Sequence, residues 1–345
     1  MRRIFGATYA DVRPISGTVS NEAVFSRLVP QGATAIAHNV ASGGHISHAR
    51  IGSLGKRTNR ILPWPMTPDG WRIDTAAARD LIAQERPPLV VVGRSLFLFP
   101  EPVTALKEVC DEVGTLLFYD GAHVLGLIAG GTFQDPLAEG ADVLAGSTHK
   151  TFFGPQRGVV LSASEDEKFL RKMDKGVFPG SSSNHHLFSL PSLLVSALEM
   201  EAFGATYAEA TIANARALAA ALHALGLDVA AADLGYTETH QVAVDVGAHG
   251  GGKVVSRRLS EQDIICNMNL LPGDPARNAL DPRVIRLGVQ EMTSYGLGPD
   301  AMEEMAGLVH AAWTVARDVR DEVKAFRARY PDVRYGFGVE DLQGA

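Results

Sequence analysis

Short apolar runs alternate along this chain with longer stretches whose apolar positions recur at helical spacing. That alternation marks a mostly parallel sheet covered by helices, an α/β fold. The runs predict strands over Thr34–Ala37, Leu89–Val92, Leu116–Tyr119, Val143–Gly146 and Gly158–Leu161. Between them, helical spacing predicts helices over Thr75–Gln84 and Pro102–Val113. After Pro179 the texture changes. Leu187–Phe203 and Tyr207–Leu225 are long and rich in Ala and Leu, so they read as two helices leading to a smaller C-terminal α+β part. That part is expected to hold strands near Gln241–Asp245 and Arg283–Leu287 and a helix over Pro299–Val315. The expected division is a large domain over residues 1–200 and a small one over 201–345, with the boundary between about 190 and 215.

Composition narrows the class. The chain has 345 residues, enough for a large core and two domains, and is 46% hydrophobic and 21% charged. A net charge of −7 and a pI near 5.9 argue against nucleic acid or an anionic membrane as the main partner. The two cysteines, Cys110 and Cys266, make no disulfide framework, so a reducing cytoplasm is expected. Neither a signal peptide nor an apolar run approaching a membrane span is expected. No internal repeat is visible.

Two residues carry the chemistry. Lys150, in Ser147-Thr148-His149-Lys150-Thr151, follows one apolar run, and Asp120 closes the run before it. Taken singly, such a Lys is a solvated loop charge and such an Asp a turn former or helix cap. Together, at the carboxyl ends of successive buried strands, they stand where open α/β sheets bind ligands. An amine and a carboxylate there suit pyridoxal phosphate (PLP). The lysine forms a Schiff base with the aldehyde, and the acid keeps the pyridine nitrogen protonated. Ser16-Gly17-Thr18 opens the first helix, and its N–H groups suit either a phosphate or a plain Ser cap. His45 and His48 sit at i, i+3, but no third ligand follows at metal spacing, so an imidazole stacked on a flat ring is the more physical use. Arg286 is a charge inside an apolar strand, and its planar fork suits a substrate carboxylate or a structural acid. No Gly-x-Gly-x-x-Gly follows an early strand, which disfavours a nicotinamide dehydrogenase.

With these residues the chain resembles serine hydroxymethyltransferase, a fold-type I PLP enzyme, over nearly its whole length. The most specific matches are Asp120-Gly121-Ala122-His123-Val124-Leu125-Gly126-Leu127-Ile128-Ala129-Gly130 and Ser147-Thr148-His149-Lys150-Thr151. The resemblance implies Lys150, His123 and His149 as the catalytic set. It implies Asp120, His123, His45, Ser16, Gly17, Thr18, Ser95 and Ser147 as cofactor contacts, and Arg286 as the substrate-carboxylate ligand. It further implies a homodimer acting on an amino acid and an aldehyde. The Cα–Cβ bond of a β-hydroxy amino acid would be made or broken through a glycine quinonoid.

Four departures bear on the reaction. The family's N-terminal arm is not matched, so a second chain supplies its residues, the enzyme works without them, or the chain is a fragment of a longer protein. Met268 stands where the family usually has a lysine near folate. Ser181-Ser182-Ser183-Asn184 replaces glycines, and Gly154-Pro155-Gln156-Arg157 replaces Gly-Pro-Arg. The resemblance implies tetrahydrofolate, and Met268 counts against it. The alternatives are a folate-independent threonine aldolase or transaldolase, or a low-activity partner subunit completing another chain's site.

Overall fold

The computed structural model describes residues 1–275, 278 and 280–338. Residues 339–345, the end of the expected small domain, lie outside the described residues. Among the described residues the large sheet has seven strands: β1 (Tyr9–Asp11), β2 (Ala35–Ala37), β3 (Ile61–Pro63), β4 (Leu89–Val92), β5 (Leu116–Asp120), β6 (Val143–Ser147) and β7 (Gly158–Ser162). They lie in the order β1-β7-β6-β5-β4-β2-β3. The central strands read as continuous apolar runs because helices cover both faces. Leu89, Val90, Val91 and Val92 are all fully buried.

Six helices accompany this sheet: α1 (Gly17–Leu28), α2 (Thr75–Glu85), α3 (Val103–Val113), α4 (Leu125–Ala129), α5 (Glu167–Val177) and α6 (Leu190–Ala224). In α3 the buried residues Val103, Leu106, Val109 and Cys110 form one stripe. Gly114, at φ +75°, closes that helix through its N–H to the carbonyl of Cys110.

The sheet is less parallel than the apolar runs suggest. β3, β2, β4, β5 and β6 run parallel, but β7 is antiparallel to β6, and β1 is antiparallel to β7. The link from β6 to β7 spans residues 148–157, below the dozen or so that a parallel crossover needs. A direct return is therefore forced, and the link is the segment that carries Lys150.

The second correction concerns α6. It is one continuous helix rather than two, entered through Leu187–Ser189 with Pro191 in its first turn. Gly204, a local weak point in sequence, sits where Gly130 packs directly on its carbonyl. A Cβ on Gly130 would run into that backbone, so the glycine serves a close approach. By length and composition α6 could cross a membrane, against the expectation of no such run. Its inner face accounts for part of that apolarity, while Leu194, Val195 and Leu198 are exposed. Leu193, Met200 and Tyr207 enter the large-domain core, and Ala215, Leu218 and Leu222 enter a second core.

That second core belongs to a small antiparallel sheet of β8 (Asp228–Val229), β9 (Gln241–Asp245), β10 (Asn267–Asn269) and β11 (Val284–Gly288), in the order β10-β11-β9-β8. Around it pack α7 (Gly252–Ser260), α8 (Gln290–Ser294), α9 (Pro299–Trp313) and α10 (Arg320–Ala328). Leu96, Leu98 and Phe99, from the loop after β4, pack on Ala243 and Val284 of this sheet. The same loop is pinned to the large domain by a buried charge cluster. Arg94 Nε donates to Glu101 at 2.7 Å, and His38 Nε2 lies 2.9 Å from the same oxygen. Burial alone would raise the Glu101 pKa, but Arg94 and His38 outweigh it and hold the carboxyl well below its usual range.

Replacing Glu101 by Gln should leave the Arg94 charge buried without a counter-charge. A loss of about 3 kcal/mol or more is expected in denaturant unfolding, on the scale for breaking one side of a buried ion pair. A loss below about 1 kcal/mol, the level of an exposed pair, would show that the cluster does not anchor the loop.

Candidate active site

Three chain reversals at the carboxyl edge of the large sheet meet the first turn of α1. Asp120 ends β5, beside Ala145 of β6 in parallel register. The next turn, residues 121–124, presents His123, and the turn after β6 presents Lys150. Thr151 ties these two turns together. Its hydroxyl donates to the His123 carbonyl at 2.9 Å and accepts from the Gly126 N–H at 3.0 Å. Lys150 Nζ and His123 Nε2 are thereby brought to 3.1 Å.

Asp120 is almost fully buried, and its two oxygens are held by donors. Asn21 Nδ2 donates to Oδ2 at 2.7 Å, His48 Nε2 lies 2.8 Å from the same oxygen, and the Ala122 N–H donates to Oδ1 at 3.0 Å. Burial would raise the Asp120 pKa, yet the His48 hydrogen bond and charge, with His45 and Asn21, hold it well below the ordinary value. The group is an ionised, acceptor-only carboxylate. Lys150 shows the opposite balance. Burial lowers its pKa, Asp120 opposes that shift, and Arg286 adds to it.

A small cavity of about 100 Å³ lies between these groups. Asp120, Asn21, Lys150 and His45 line one part of it, and Ser16, Gly17, Thr18, Ser147 and the exposed His149 line the rest. The Ser16 hydroxyl caps α1 by accepting from Val19 N–H. Gly17 is required by space, because a Cβ there would collide with the Ser147 hydroxyl. The first turn of a long helix thus faces the cavity with backbone N–H groups and no side chain between, a setting that favours an anion. His45 Nδ1 lies 2.7 Å from the Ser47 hydroxyl, and burial lowers the ring's pKa.

The small domain supplies the remaining wall. Arg286, in the middle of β11, donates through Nη1 to the Ser95 carbonyl, and burial lowers its pKa to about 10. Among the described residues no carboxylate lies within ion-pair distance of Arg286 or Lys150. Gln241, the first residue of β9, reaches across to His123 Nδ1 at 3.1 Å, and His240 stacks on the His123 ring at 6.2 Å. Met268 lies on the edge strand β10, paired with Ile285 and half-exposed beside Gly252.

Ser16, Gly17, Thr18, His45, Asp120, Ser147, His149 and Lys150 therefore line one cavity, and His123, Ser95 and Arg286 join it through the contacts Lys150–His123–Gln241–Ser95–Arg286. Asn21, His48 and Gln241 were not anticipated. His48 lies in the Gly43–His48 stretch already noted, three residues beyond His45, and spends its Nε2 on Asp120. Asn21 follows Gly17 by one helical turn, so it shares that helix face. The donor set fits PLP on this structure's own terms: a partly buried amine on the cavity wall, a buried ionised carboxylate, and a helix start at Gly17 that leaves room for a phosphate.

The chain matches the serine hydroxymethyltransferase family model over residues 1–309. It is 45% identical to a serine hydroxymethyltransferase of Archaeoglobus fulgidus, covering 97% of this chain and 77% of that one. A second, from Methanothermobacter thermautotrophicus, is 46% identical over 97% of this chain and 79% of that protein. Among solved structures, the L-threonine transaldolase of Pseudomonas fluorescens, in its internal aldimine state, superposes with a TM-score of 0.89 at 30% identity. That match covers all of this chain and 80% of the transaldolase chain. With the fold, the site and these relatives in agreement, this PLP-dependent enzyme belongs to the serine hydroxymethyltransferase family.

Proposed function

We propose that this enzyme makes or breaks the Cα–Cβ bond of a β-hydroxy amino acid, serine or threonine, with glycine as the other amino acid. The observation that carries the reading is Arg286. It is a guanidinium with no carboxylate partner among the described residues, within electrostatic reach of His123 and of Lys150, whose amine lines the cavity together with the ionised Asp120. Its fork suits an amino-acid carboxylate. Holding that carboxylate fixes which bond at Cα stands in the reactive orientation.

Bound PLP supplies a protonated ring that accepts the electrons of the broken bond. The chain's residues set the conditions for this. Asp120 would accept a hydrogen bond from the protonated ring nitrogen, with Asn21 and His48 keeping the carboxylate ionised. Lys150 offers an amine whose charge is disfavoured by burial. The first turn of α1, through Ser16, Gly17 and Thr18, takes the phosphate, and Ser147 closes that end. His45 provides a flat wall, and His123 holds a proton beside the Lys150 amine. His149, exposed on the lining of the cavity, is the proposed group for proton exchange with substrate.

Two readings of the aldehyde partner follow. Serine–glycine exchange uses tetrahydrofolate as the one-carbon carrier. An aldolase or transaldolase takes a larger aldehyde and needs no folate. Met268 favours the second, since a half-exposed thioether offers no charge to an anionic carrier. The likeness to a protein named L-threonine transaldolase supports the same reading. We also propose a homodimer. Only 33% of the most apolar window of α6 is buried, and Phe188 at 83% exposure and Leu194 at 62% present an apolar face suited to a second copy.

Adding glycine to the PLP-loaded enzyme tests the function through its long-wavelength absorbance. A band that grows without tetrahydrofolate supports the folate-free reading, and one that requires it supports serine–glycine exchange. No band under either condition, in a protein whose PLP colour is present in wild type and lost in Lys150→Ala, contradicts the proposal. Arg286→Ala should weaken amino-acid binding about a hundredfold or more, as breaking a buried charge pair does. Unchanged affinity would move Arg286 to a structural role.

A further inference from the structure

Gln241 belongs to the small-domain sheet, yet the shortest contacts of its side chain are to the large domain; its neighbour His240 lies farther from the amide nitrogen, with Nε2 at 3.4 Å. Its Oε1 accepts from the Phe97 N–H at 2.8 Å, and its Nε2 donates to the Ser95 carbonyl at 3.0 Å. Those two bonds fix which end of the amide is which, because a backbone N–H can only donate and a carbonyl can only accept. The amide nitrogen is therefore the atom that faces His123 Nδ1 at 3.1 Å. The Gln241 backbone is held by its neighbour Thr239. The Thr239 hydroxyl donates to the Phe97 carbonyl at 2.6 Å and accepts from the Gln241 N–H at 3.2 Å.

An amide nitrogen has no lone pair to offer, so the ring nitrogen facing it must be the acceptor. A neutral imidazole with a bare Nδ1 carries its one proton on Nε2, and Nε2 is the atom 3.1 Å from Lys150 Nζ. A protonated lysine has no lone pair to receive that proton. The two groups can share a hydrogen bond only if the amine is the free base. We propose that Gln241 is a positioning residue that sets the His123 tautomer, directs the ring proton at Lys150, and so holds the lysine as an unprotonated amine.

The surrounding groups act in the same direction. Burial, then Lys150, Arg286 and His240, hold the His123 pKa well below its ordinary value, so the ring is neutral. Burial and Arg286 lower the Lys150 pKa, and Asp120 opposes them. His240, whose own pKa burial pushes down to about 3, stacks on His123 as a neutral ring, and His45 is likewise lowered by burial. Because the amide comes from β9 and its partners from the large domain, the tautomer also depends on how the two domains meet. The proposal rests on Lys150 being the PLP lysine only for its consequence, and the tautomer itself can be read without cofactor.

The test is a long-range proton–nitrogen NMR spectrum of the full chain, freed of PLP and labelled with nitrogen-15 histidine. The His123 signals are identified by their loss in His123→Asn. A protonated Nε2 with a bare Nδ1 supports the assignment, and a proton on Nδ1 overturns it. In Gln241→Leu the bias should disappear. The pH midpoint for PLP capture, trapped by borohydride, should then rise by about one unit, the size expected for one lost buried hydrogen bond. Slower capture with an unmoved midpoint would make Gln241 merely structural and overturn the proposal. If the variant does not fold, the wild-type spectrum decides alone. Failure of the wild-type chain to take up PLP on Lys150 would instead count against the functional reading.

Discussion

The site depends on one carboxylate kept ionised where burial alone would neutralise it. Asp120 is enclosed at the end of a central strand, and an isolated charge there would be strongly disfavoured. Three donors reverse that balance: Asn21 from α1, His48 from the loop after β2, and the Ala122 N–H of its own turn. Each comes from a different element, so the carboxylate is held by the folded arrangement of α1, the loop after β2 and its own turn. The elements that hold the charge are also those that shape the cavity.

A second constraint works across the domains. The loop after β4, pinned by the Arg94–Glu101–His38 cluster, offers its Ser95 carbonyl to both Arg286 and Gln241 and its Phe97 N–H to Gln241. The guanidinium and the amide therefore arrive at the cavity together. α6 contributes residues to both cores and Leu96, Leu98 and Phe99 wedge between them. Cofactor-side groups from the large domain and the substrate-side arginine from the small one then face a single space.

Much of this was legible in the residues. Buried strands such as Leu89–Val92 and Leu116–Asp120 announce themselves because both faces are apolar, and Asp120 and Lys150 stand out as charges directly after such runs. Strand direction is not written in hydrophobicity, so β7 was placed in the sheet without its antiparallel sense. The three-residue strands β1, β3 and β10 are too short to show a period. The residues between Phe203 and Tyr207, read as a break between two helices, lie inside one helix, where Gly204 meets Gly130. Gln241 was hidden for a different reason. It is an ordinary polar residue opening a strand, and its meaning comes from Ser95, Phe97 and His123, all more than a hundred positions earlier. His48 was similarly concealed beside His45, since only the folded chain shows which imidazole meets Asp120.

The ionised Asp120 is the account's central claim, and the cofactor itself can report on it. PLP labelled with nitrogen-15 in its pyridine ring can be loaded into the protein and its nitrogen resonance followed as pH is varied. The account predicts a protonated ring nitrogen that does not titrate through neutral pH, because a permanently charged carboxylate holds the proton. A resonance at the unprotonated position, or one that titrates near neutrality, would contradict it.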